Sequence, residues 1–446
     1  LFQRRSQHSC RRFRRNCQLA MHVANSRREK AVLVGCALKT SPKTSTTRAP
    51  VSLEESLDEL ASLTASAGGD VVERLVQERE QYNPATLIGS GKLRELEETT
   101  QELHAEVVIF DENLSPAQQR NIERKIGCRV IDRTQLILDI FASRAHTREG
   151  KLQVELAQLN YMLPRLAGRG VELSRLGGGI GTRGPGETKL ETDQRKIHKR
   201  IHKIKDDLEH VRSHRSLHRA HRQSIPVPTV SLVGYTNAGK STLFNALTRA
   251  GAFASDQLFA TLDPLLRRIK LPSNREVILS DTVGFIHKLP TTLVSAFRAT
   301  LEEVAQADLL LHVIDVSSPH SQQQREAVLR ILEELKVSSK PTLEVYNKID
   351  LSHPGAGLFS KANSLSISAT QSVGLDSLLR RIDELLSGDP LVRARFLFKQ
   401  ANGNLLSKLY SCSRLIERSY LDDQVLIEVE APQSVVERLK KFRIGA

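Results

Sequence analysis

The strongest chemical signal in the sequence is a glycine-flanked loop that follows a short apolar segment. In VSLVGYTNAGKSTLFN the apolar run ends at Gly234, and Gly239-Lys240-Ser241 follows after a four-residue spacer. Glycines let backbone N–H groups curl around a phosphate, and a helix that begins there points its positive dipole end at the same anion. The pattern predicts a strand, a phosphate-binding loop and a helix. The predicted binding positions are Gly234, Tyr235, Thr236, Asn237, Ala238, Gly239, Lys240, Ser241 and Thr242.

A second motif carries metal-binding and phosphate-sensing chemistry. Asp281-Thr-Val-Gly284 comes directly after another apolar segment. We predict that Mg²⁺ is bound by the Ser241 hydroxyl, by Asp281 through water, and by Thr261, which would close over the ion. Catalytic roles are predicted for Lys240 at the β- and γ-phosphates, for Thr261, and for the Gly284 N–H as a sensor of the γ-phosphate.

Two further motifs predict that the base is guanine. Asn347-Lys348-Ile-Asp350 follows one apolar segment, and Ser368-Ala369 ends another. A carboxylate at Asp350 can accept from the N1–H and the 2-amino group of guanine together, a pair of donors that adenine does not present. Each motif is weak alone, but in this order and spacing they predict GTP and GDP as ligands, with Mg²⁺.

The residue after Gly284 departs from the pattern of many small GTPases. Those proteins carry a water-orienting Gln there, whereas this chain has Phe285. An apolar side chain cannot align a nucleophile by hydrogen bonding, so either other groups place the water or a partner completes the site. We therefore predict slow hydrolysis by the protein alone and stimulation by a partner.

Composition sets the wider bounds. A chain of 446 residues allows roughly two to four domains. Its five cysteines include no CxxC pair, which favours a reducing compartment without a disulfide framework. No apolar run approaches the roughly 18 residues of a membrane span. Residues 1–48 hold twelve Lys and Arg against one acid, so about +11 of the net +14 lies there and about +3 elsewhere. The overall charge is thus poor evidence for nucleic-acid binding, and DNA is not expected as a partner.

Residues 1–48 form a basic extension that we expect to be disordered at its start. The first twenty residues are Arg-rich and contain no acid, and Met21 is the first Met. They fit a mitochondrial or other organelle transit peptide, a basic RNA-contacting arm, or translated sequence ahead of a start at Met21. We favour the last, because a short predicted strand (31–34) follows soon after Met21. On that interpretation the protein is cytoplasmic.

Residues 49–143 predict an α/β domain. Leu53, Leu57, Leu60 and Leu63 recur at helical spacing, and strand-like segments at 70–76, 106–110 and 128–134 alternate with further helical patterns. The segment LSPAQQRNIERKIG predicts a helix with Ser115 as its N-cap. The stretch GSGKL at 89–93 lacks the spacer and the Ser/Thr of a phosphate-binding loop, so a glycine turn that opens a helix is favoured over a second nucleotide site.

Residues 144–223 predict a long antiparallel helical hairpin with a glycine-rich tip. Two heptad stripes, one of leucines from Leu152 to Leu163 and one from Leu190 to Val211, flank the tip sequence GGGIGTRGPGE. Flexible backbone beside guanidinium groups suits phosphates and irregular RNA surfaces. The alternative is a solvated coiled-coil face with a mobile loop. The predicted RNA contacts are Gly177, Gly178, Gly179, Arg183, Gly184, Gly186 and Arg195.

The remaining chain divides into a GTPase domain and a small terminal module. The GTPase domain is expected over 224–387, opened by the stiff linker SIPVP, and further buried strands are expected at 307–316 and 341–346. Residues 388–446 predict a small α+β domain with a helix at 404–410, strands at 413–417 and 425–429, and a helix at 434–441. The predicted fold class is therefore α/β, with an α/β domain and a helical hairpin ahead of a P-loop GTPase domain.

These segments together resemble the HflX-type GTPases. The resemblance is carried by LSPAQQRNIE, IDRTQLILDIFASRAHTREGKLQVELAQL, GGGIGTRGPGETKLETDQRKI and the GTPase motifs, and it runs from about residue 51 through the GTPase domain. It implies binding to the large ribosomal subunit with the glycine loop near the peptidyl-transferase rRNA, and splitting of stalled or idle ribosomes by the GTP-bound form. It also implies ribosome-dependent hydrolysis, in agreement with Phe285. An ATP-dependent activity is associated with the N-terminal domain of the family, and GSGKL gives it little support here.

Two function classes remain open from the sequence. The first is a GTPase, monomeric away from the ribosome, that separates 70S-type ribosomes into subunits. The second is a GTP-gated assembly factor or RNA chaperone of the large subunit that never separates them. Incubation with intact ribosomes discriminates the two, because only the first predicts free subunits.

Overall fold

The computed structural model describes residues 28–39, 52–166, 185–222, 227–248, 258–259, 261–288, 303–351, 363–386, 391–399, 405–406, 409–410, 413–421 and 424–444. The chain forms two compact units. The first comprises Leu1–Val211 with Gln257–Leu262 and Lys288–Phe297, and the second comprises the intervening segments and the chain from Arg298 to Ala446. Within the described ranges, no helix has both the length and the apolar character that a membrane crossing requires.

The first unit is built on a parallel sheet with the strand order β2-β1-β3-β4. The central strands β1 and β3 are short apolar runs, as expected for parallel strands that are buried on both faces. Val32, Val34, Val108 and Phe110 lie in a core cluster on one face. The strands are β1 (Glu29–Leu38), β2 (Gly69–Arg79), β3 (Val107–Phe110) and β4 (Arg129–Asp132).

Helices connect these strands and end where the sequence supplies caps. The helices are α1 (Leu53–Ser66), α2 (Ser90–Glu102), α3 (Pro116–Ile126) and α4 (Arg133–Arg144). The predicted cap at Ser115 is confirmed: its side chain accepts from the Gln118 N–H in a reciprocal capping box, and Gly127 ends α3 in the left-handed conformation. Gly89 precedes the first residue of α2, so GSGKL is a glycine turn that opens a helix.

Two longer helices follow, α5 (Arg148–Leu166) and α6 (Pro185–Arg222). On α6 the predicted stripe is buried at Ile197, Ile201, Ile204 and Leu208. Arg200 contacts α5 by donating both Nε and Nη2 to the Glu155 carboxylate at 2.7 Å. Of the predicted RNA contacts, Gly177, Gly178, Gly179, Arg183 and Gly184 lie outside the described residues.

The second unit contains a six-stranded sheet with the order β10-β9-β8-β5-β7-β6, in which β6 alone is antiparallel to its neighbour. The chain passes from β5 to one side of the sheet through β6 and β7, and to the other side through β8, β9 and β10. Ligands of open α/β sheets bind at such a reversal of strand order, beyond the carboxyl ends of the strands. The strands are β5 (Thr229–Gly234), β6 (Leu265–Lys270), β7 (Glu276–Asp281), β8 (Leu309–Asp315), β9 (Thr342–Asn347) and β10 (Ser364–Ser366), with helices α7 (Lys240–Thr248), α8 (Ser321–Glu334) and α9 (Leu375–Leu385).

The C-terminal module is an antiparallel sheet with the order β12-β13-β11-β14. Its strands are β11 (Leu391–Lys399), β12 (Arg414–Leu421), β13 (Gln424–Pro432) and β14 (Arg443–Ile444), and α10 (Gln433–Arg438) precedes β14. This order and these directions are those of the split β-α-β arrangement. The sequence interpretation missed β11, although LVRARFLFK alternates charged and apolar residues as a half-buried strand does, and it missed β14, in which only two residues pair.

Candidate nucleotide-binding site

The loop after β5 has the geometry of a phosphate-binding loop. It runs from Gly234 to the first turn of α7, which begins at Lys240. Asn237 and Gly239 both take left-handed backbone conformations, with φ of 60° and 89°. A Cβ at Gly239 would lie 2.2 Å from Asn347 Nδ2. Glycine is therefore required there by the backbone conformation and by the close approach of a second motif.

Lys240 lies beneath this loop and is 6% exposed. Its Nζ donates to the carbonyl oxygens of Gly234 at 3.1 Å and Tyr235 at 2.6 Å. Burial lowers the pKa of Lys240 to about 8, and the Asp281 carboxylate offsets part of that shift. Phosphate oxygens are suited to bind this buried ammonium, because their negative charge would favour its charged form, which burial disfavours.

Ser241 and Asp281 form the candidate metal position. The Ser241 hydroxyl donates to Asp281 Oδ2 at 2.7 Å, and the Asp281 carboxylate is fully buried at the end of β7. Hydroxyl and carboxylate oxygens are the ligand types that Mg²⁺ prefers. The donor set therefore fits this ion, and the ligand roles of Ser241 and Asp281 remain predictions.

Gly284 packs directly on the phosphate loop. A Cβ at this position would lie 2.8 Å from Thr236 Cα and 2.9 Å from Lys240 Nζ, so no other residue type fits without a shift of the backbone. The next residue, Phe285, is 3% exposed. Its side chain is thus part of the core, which accounts physically for an apolar residue at a position where other GTPases place a Gln.

Asn347 joins the base motif to the phosphate loop. Its Nδ2 donates to the Ala238 carbonyl at 3.0 Å, and its Oδ1 accepts from the Ala369 N–H at 3.0 Å. One buried amide thereby connects the loop after β5, the end of β9 and the segment after β10. The sequence placed these three motifs in order along the chain, and the structure brings Asn347, Ala238 and Ala369 together.

The other base-motif residues surround this amide. Lys348 has a left-handed φ of 66° and forms an ion pair with Asp315 at 2.7 Å. Asp350 lies in the short 3-10 helix Ile349–Leu351 and is exposed, so its carboxylate is accessible to a base. Ser368 is buried and exchanges both backbone hydrogen bonds with Val373, which closes the turn next to Ala369.

The remaining predicted site residues are Thr242, Thr261, Gly186 and Arg195. Thr242 is half-buried in the first turn of α7. Thr261 is half-buried in a short segment that groups with the first unit. Gly186 is the second residue of α6, and Arg195 is exposed on the same helix. The roles of these residues remain predictions.

The sequence interpretation missed one feature of the site, a backbone bridge between Tyr235 and Phe285. The Phe285 N–H donates to the Gly234 carbonyl at 3.0 Å, and the Thr236 N–H donates to the Phe285 carbonyl at 2.8 Å. No residue-type signal encodes this bridge, because it is made by main-chain atoms of two distant segments.

Comparisons with known proteins agree with this geometry. Three family models match consecutive segments: "GTP-binding GTPase N-terminal" over residues 54–142, "GTP-binding GTPase Middle Region" over 144–222 and "50S ribosome-binding GTPase" over 229–348. The GTPase HflX of Caldanaerobacter subterraneus subsp. tengcongensis is 47% identical over 94% of this chain and 94% of its own length. The GTPase HflX of Escherichia coli (strain K12) is 47% identical over 86% of this chain and 91% of its own length.

Among solved structures, a GTP-binding protein of Sulfolobus solfataricus in complex with GDP is 26% identical, with a TM-score of 0.43 over 81% of this chain and 99% of its own. The family models and the curated relatives cover the phosphate loop, and the relatives are GTPases at more than 45% identity. The chain is a GTP-hydrolysing enzyme, and it belongs to the HflX family of GTPases.

Proposed function

We propose that this chain binds the large ribosomal subunit through rRNA and uses GTP to separate stalled or idle 70S-type ribosomes into subunits in the cytoplasm, acting as a monomer. Two features support the proposal. The GTPase segment matches a family described as "50S ribosome-binding GTPase", and α6 exposes a run of basic side chains. We also propose that the chain consists of a basic extension (1–48), an α/β domain (49–143), a helical hairpin (144–223), a GTPase domain (224–387) and a C-terminal domain (388–446).

The proposed nucleotide roles are supported by the contacts around the phosphate loop. Backbone N–H groups of the loop and Lys240 hold the phosphates, and the carboxylate of Asp350 reads guanine while Ser368 and Ala369 close over the base. Bound Mg²⁺, held by Ser241, Thr261 and Asp281, would neutralise charge that develops on the phosphates. The observation that carries this assignment is the Asn347 amide, which hydrogen-bonds Ala238 of the phosphate loop and Ala369 of the base motif.

Hydrolysis by the protein alone is proposed to be slow. Phe285 is buried and its backbone is committed to the bridge with the phosphate loop, so it cannot orient a water molecule. The Gly284 N–H reports the γ-phosphate, but a general base or a water-positioning group is needed as well. We propose that the ribosome supplies or completes that group.

The proposed RNA contact comprises the glycine-rich sequence 177–187 and basic side chains of α6. The side chains of Arg195, Lys196, Lys199 and Lys203 are exposed there, while Ile197 and Ile201 are buried. Exposed Lys and Arg on one helix suit the phosphate backbone of RNA, which supplies affinity without reading sequence. Arg200 is excluded from this set because Glu155 holds it.

The first experiment measures GTP turnover with and without purified large ribosomal subunits, with Lys240→Ala as the inactive control. Strong stimulation by the large subunit, and none by the small subunit, is the expected result. Turnover that is fast without ribosomes, or that the large subunit does not change although it binds, would contradict a ribosome-completed site.

A second experiment tests splitting itself. Intact ribosomes are incubated with the protein and a non-hydrolysable GTP analogue, and subunits are separated on a sucrose gradient. Free subunits are expected with wild-type protein and not with a variant in which 177–187 is replaced by a short Ser linker. That variant should keep its GTP affinity. Ribosome binding without free subunits would overturn splitting and support the assembly-factor alternative.

A further inference from the structure

The loop that contains Gly284 is fastened to the phosphate loop at three points, all within the second unit. Two are the main-chain hydrogen bonds of the bridge, from Phe285 N to Gly234 O at 3.0 Å and from Thr236 N to Phe285 O at 2.8 Å. The third is made by a side chain, because the Tyr235 hydroxyl oxygen accepts from the His287 N–H at 2.8 Å. The segment 285–287 is therefore held along its whole length against residues 234–236.

The side chain of Tyr235 is not explained by phosphate binding. A phosphate-binding loop acts through backbone N–H groups and its lysine, so the second residue of the loop needs no particular side chain for phosphate. The Tyr235 side chain is nonetheless 9% exposed and directed to the far end of the fastened segment. A buried phenol is costly unless its hydroxyl is hydrogen-bonded, and the His287 amide is such a partner.

In this hydrogen-bonded arrangement Gly284 packs closely against Lys240 and Thr236, which belong to the loop that would receive the terminal phosphate. A single added methyl at Gly284 would come within 2.9 Å of Lys240 Nζ and 2.8 Å of Thr236 Cα. The Thr236 N–H is also committed, since it donates to Phe285 rather than to an anion. An added methyl group does not fit between Gly284 and Lys240, so a γ-phosphate placed between them would move the two apart and strain the bridge beside Phe285.

We propose that Tyr235 is a positioning residue that stabilises this closed loop arrangement and thereby lowers the affinity for GTP relative to GDP. The closed loop is defined here by the three hydrogen bonds of Phe285, Thr236 and Tyr235. GDP lacks the phosphate that opens the loop, so its affinity does not depend on the Tyr235 hydroxyl. This role of Tyr235 lies in the GTPase site itself and is independent of whether the protein splits ribosomes.

The test uses the full chain with Tyr235→Phe, which removes the hydroxyl and keeps the ring. Affinities for GTPγS and GDP are measured by competition against a fluorescent guanine nucleotide. One net hydrogen bond corresponds to a change of about three- to tenfold. We expect GTPγS affinity to rise by about that factor and GDP affinity to change by less than about twofold. An unchanged ratio of the two affinities would overturn the proposal.

The matched control is Tyr410→Phe, whose hydroxyl is buried in the C-terminal module with no hydrogen-bond partner among the described residues. It makes the same chemical change elsewhere in the second unit and should leave the GTPγS to GDP ratio at the wild-type value. If the ratio of GTPγS to GDP affinity shifted equally in both variants, the effect would be one of packing, and the proposed role of the Tyr235 hydroxyl in the closed loop would be wrong.

Hydrogen exchange of the wild-type protein provides a readout that needs no variant. The amides of Thr236, Phe285 and His287 are expected to exchange slowly with GDP bound and several-fold faster with GTPγS bound. In Tyr235→Phe loaded with GDP, the His287 amide should lose protection first. Equal or greater protection of these amides with GTPγS would show that the closed loop is not opposed to the γ-phosphate.

Discussion

Lys288 and Asp111 form an ion pair within the first unit, although they are far apart in the chain. Lys288 Nζ lies 2.5 Å from Asp111 Oδ2 and 2.7 Å from Glu112 Oε1. Burial lowers the pKa of Lys288, but the two carboxylates more than offset this effect and the net pKa is raised. Lys288 also has a left-handed φ of 54°, a conformation that such a side chain adopts only when surrounding contacts hold it.

Asp111 is the centre of a larger buried network, and its removal should destabilise the first unit. It also accepts from Arg133 Nη1 at 2.6 Å and from the Ser56 hydroxyl at 2.6 Å. In Asp111→Asn, Arg133 and Lys288 lose a shared countercharge, and we expect the free energy of unfolding to fall by about 3 kcal/mol. Urea denaturation followed by circular dichroism measures it.

The matched control for that substitution is Asp58→Asn in the same unit. Asp58 pairs with Arg74, and both side chains are well exposed. Exposed ion pairs contribute little to stability, so the urea midpoint of Asp58→Asn should be close to that of the wild type. Equal midpoints for the two variants would show that the Asp111 network does not stabilise the unit.

Because His312 is buried, we expect the stability of the protein to depend on pH. His312 is 1% exposed in β8, and burial lowers its pKa from the ordinary 6.5 to about 4, with Glu344 opposing and Arg325 reinforcing the shift. Between these values the unfolded chain binds a proton that the folded chain does not, so the unfolding free energy falls as the pH drops from about 6.5 to 4. At about pH 4, His312 lowers the free energy of unfolding by about 3 kcal/mol relative to its value above pH 6.5.

His312→Leu removes this proton uptake, so the difference in unfolding free energy between variant and wild type should change with pH across that interval. The exposed His198→Leu on α6 should follow the wild-type profile, because its ring stays in water in both states. A pH-independent difference for His312→Leu would show that His312 titrates normally in the folded protein.

The sequence predicted the parts of the fold whose signal is local. Caps such as Ser115 and Pro116, apolar strands such as β3, and the buried stripe of α6 depend on a few neighbouring residues, and each is found in the structure. The glycine spacing that begins at Gly234 likewise encodes its own turn. Such features can be inferred from residue types alone because backbone preferences and short-range hydrogen bonds decide them.

Features that depend on distant main-chain atoms were not predictable in this way. The bridge from Phe285 to Gly234 uses only backbone groups, and β14 exists because residues 443–444 find the edge of β11. The fold likewise buries Arg133 against Asp111, and no local pattern around Arg133 indicates this contact. Propensity and periodicity carry no information on which segments meet across a sheet or a loop.

Asn347 should matter for both guanine nucleotides alike. Asn347→Ala leaves the Ala238 carbonyl and the Ala369 N–H without the amide that joins them. Removing these two hydrogen bonds lowers affinity for GDP and GTPγS together by about 30-fold. Fluorescence titration measures both. Asn363→Ala, at an exposed position in the same unit, serves as control and should bind as wild type. A decrease in affinity for only one of the two nucleotides would contradict the proposed role of Asn347 in linking the phosphate loop to the base motif.

The basic face of α6 leads to a prediction about salt dependence. Arg195 and Lys199 are exposed, whereas Arg200 is held by Glu155 in a bidentate pair. If the first two bind rRNA phosphates, the double variant Arg195→Ala/Lys199→Ala should bind large ribosomal subunits more weakly. The slope of log affinity against log salt should then become shallower by about 0.7 to 0.9 for each phosphate that the variant no longer neutralises.

Arg200→Ala is the matched control for the double variant. It removes a positive charge from the same helix, but this guanidinium is already paired with Glu155 and is not available to a phosphate. The substitution should therefore leave the salt slope unchanged. A slope that changes with Arg200→Ala and not with the double variant would contradict the assignment of Arg195 and Lys199 as the phosphate contacts.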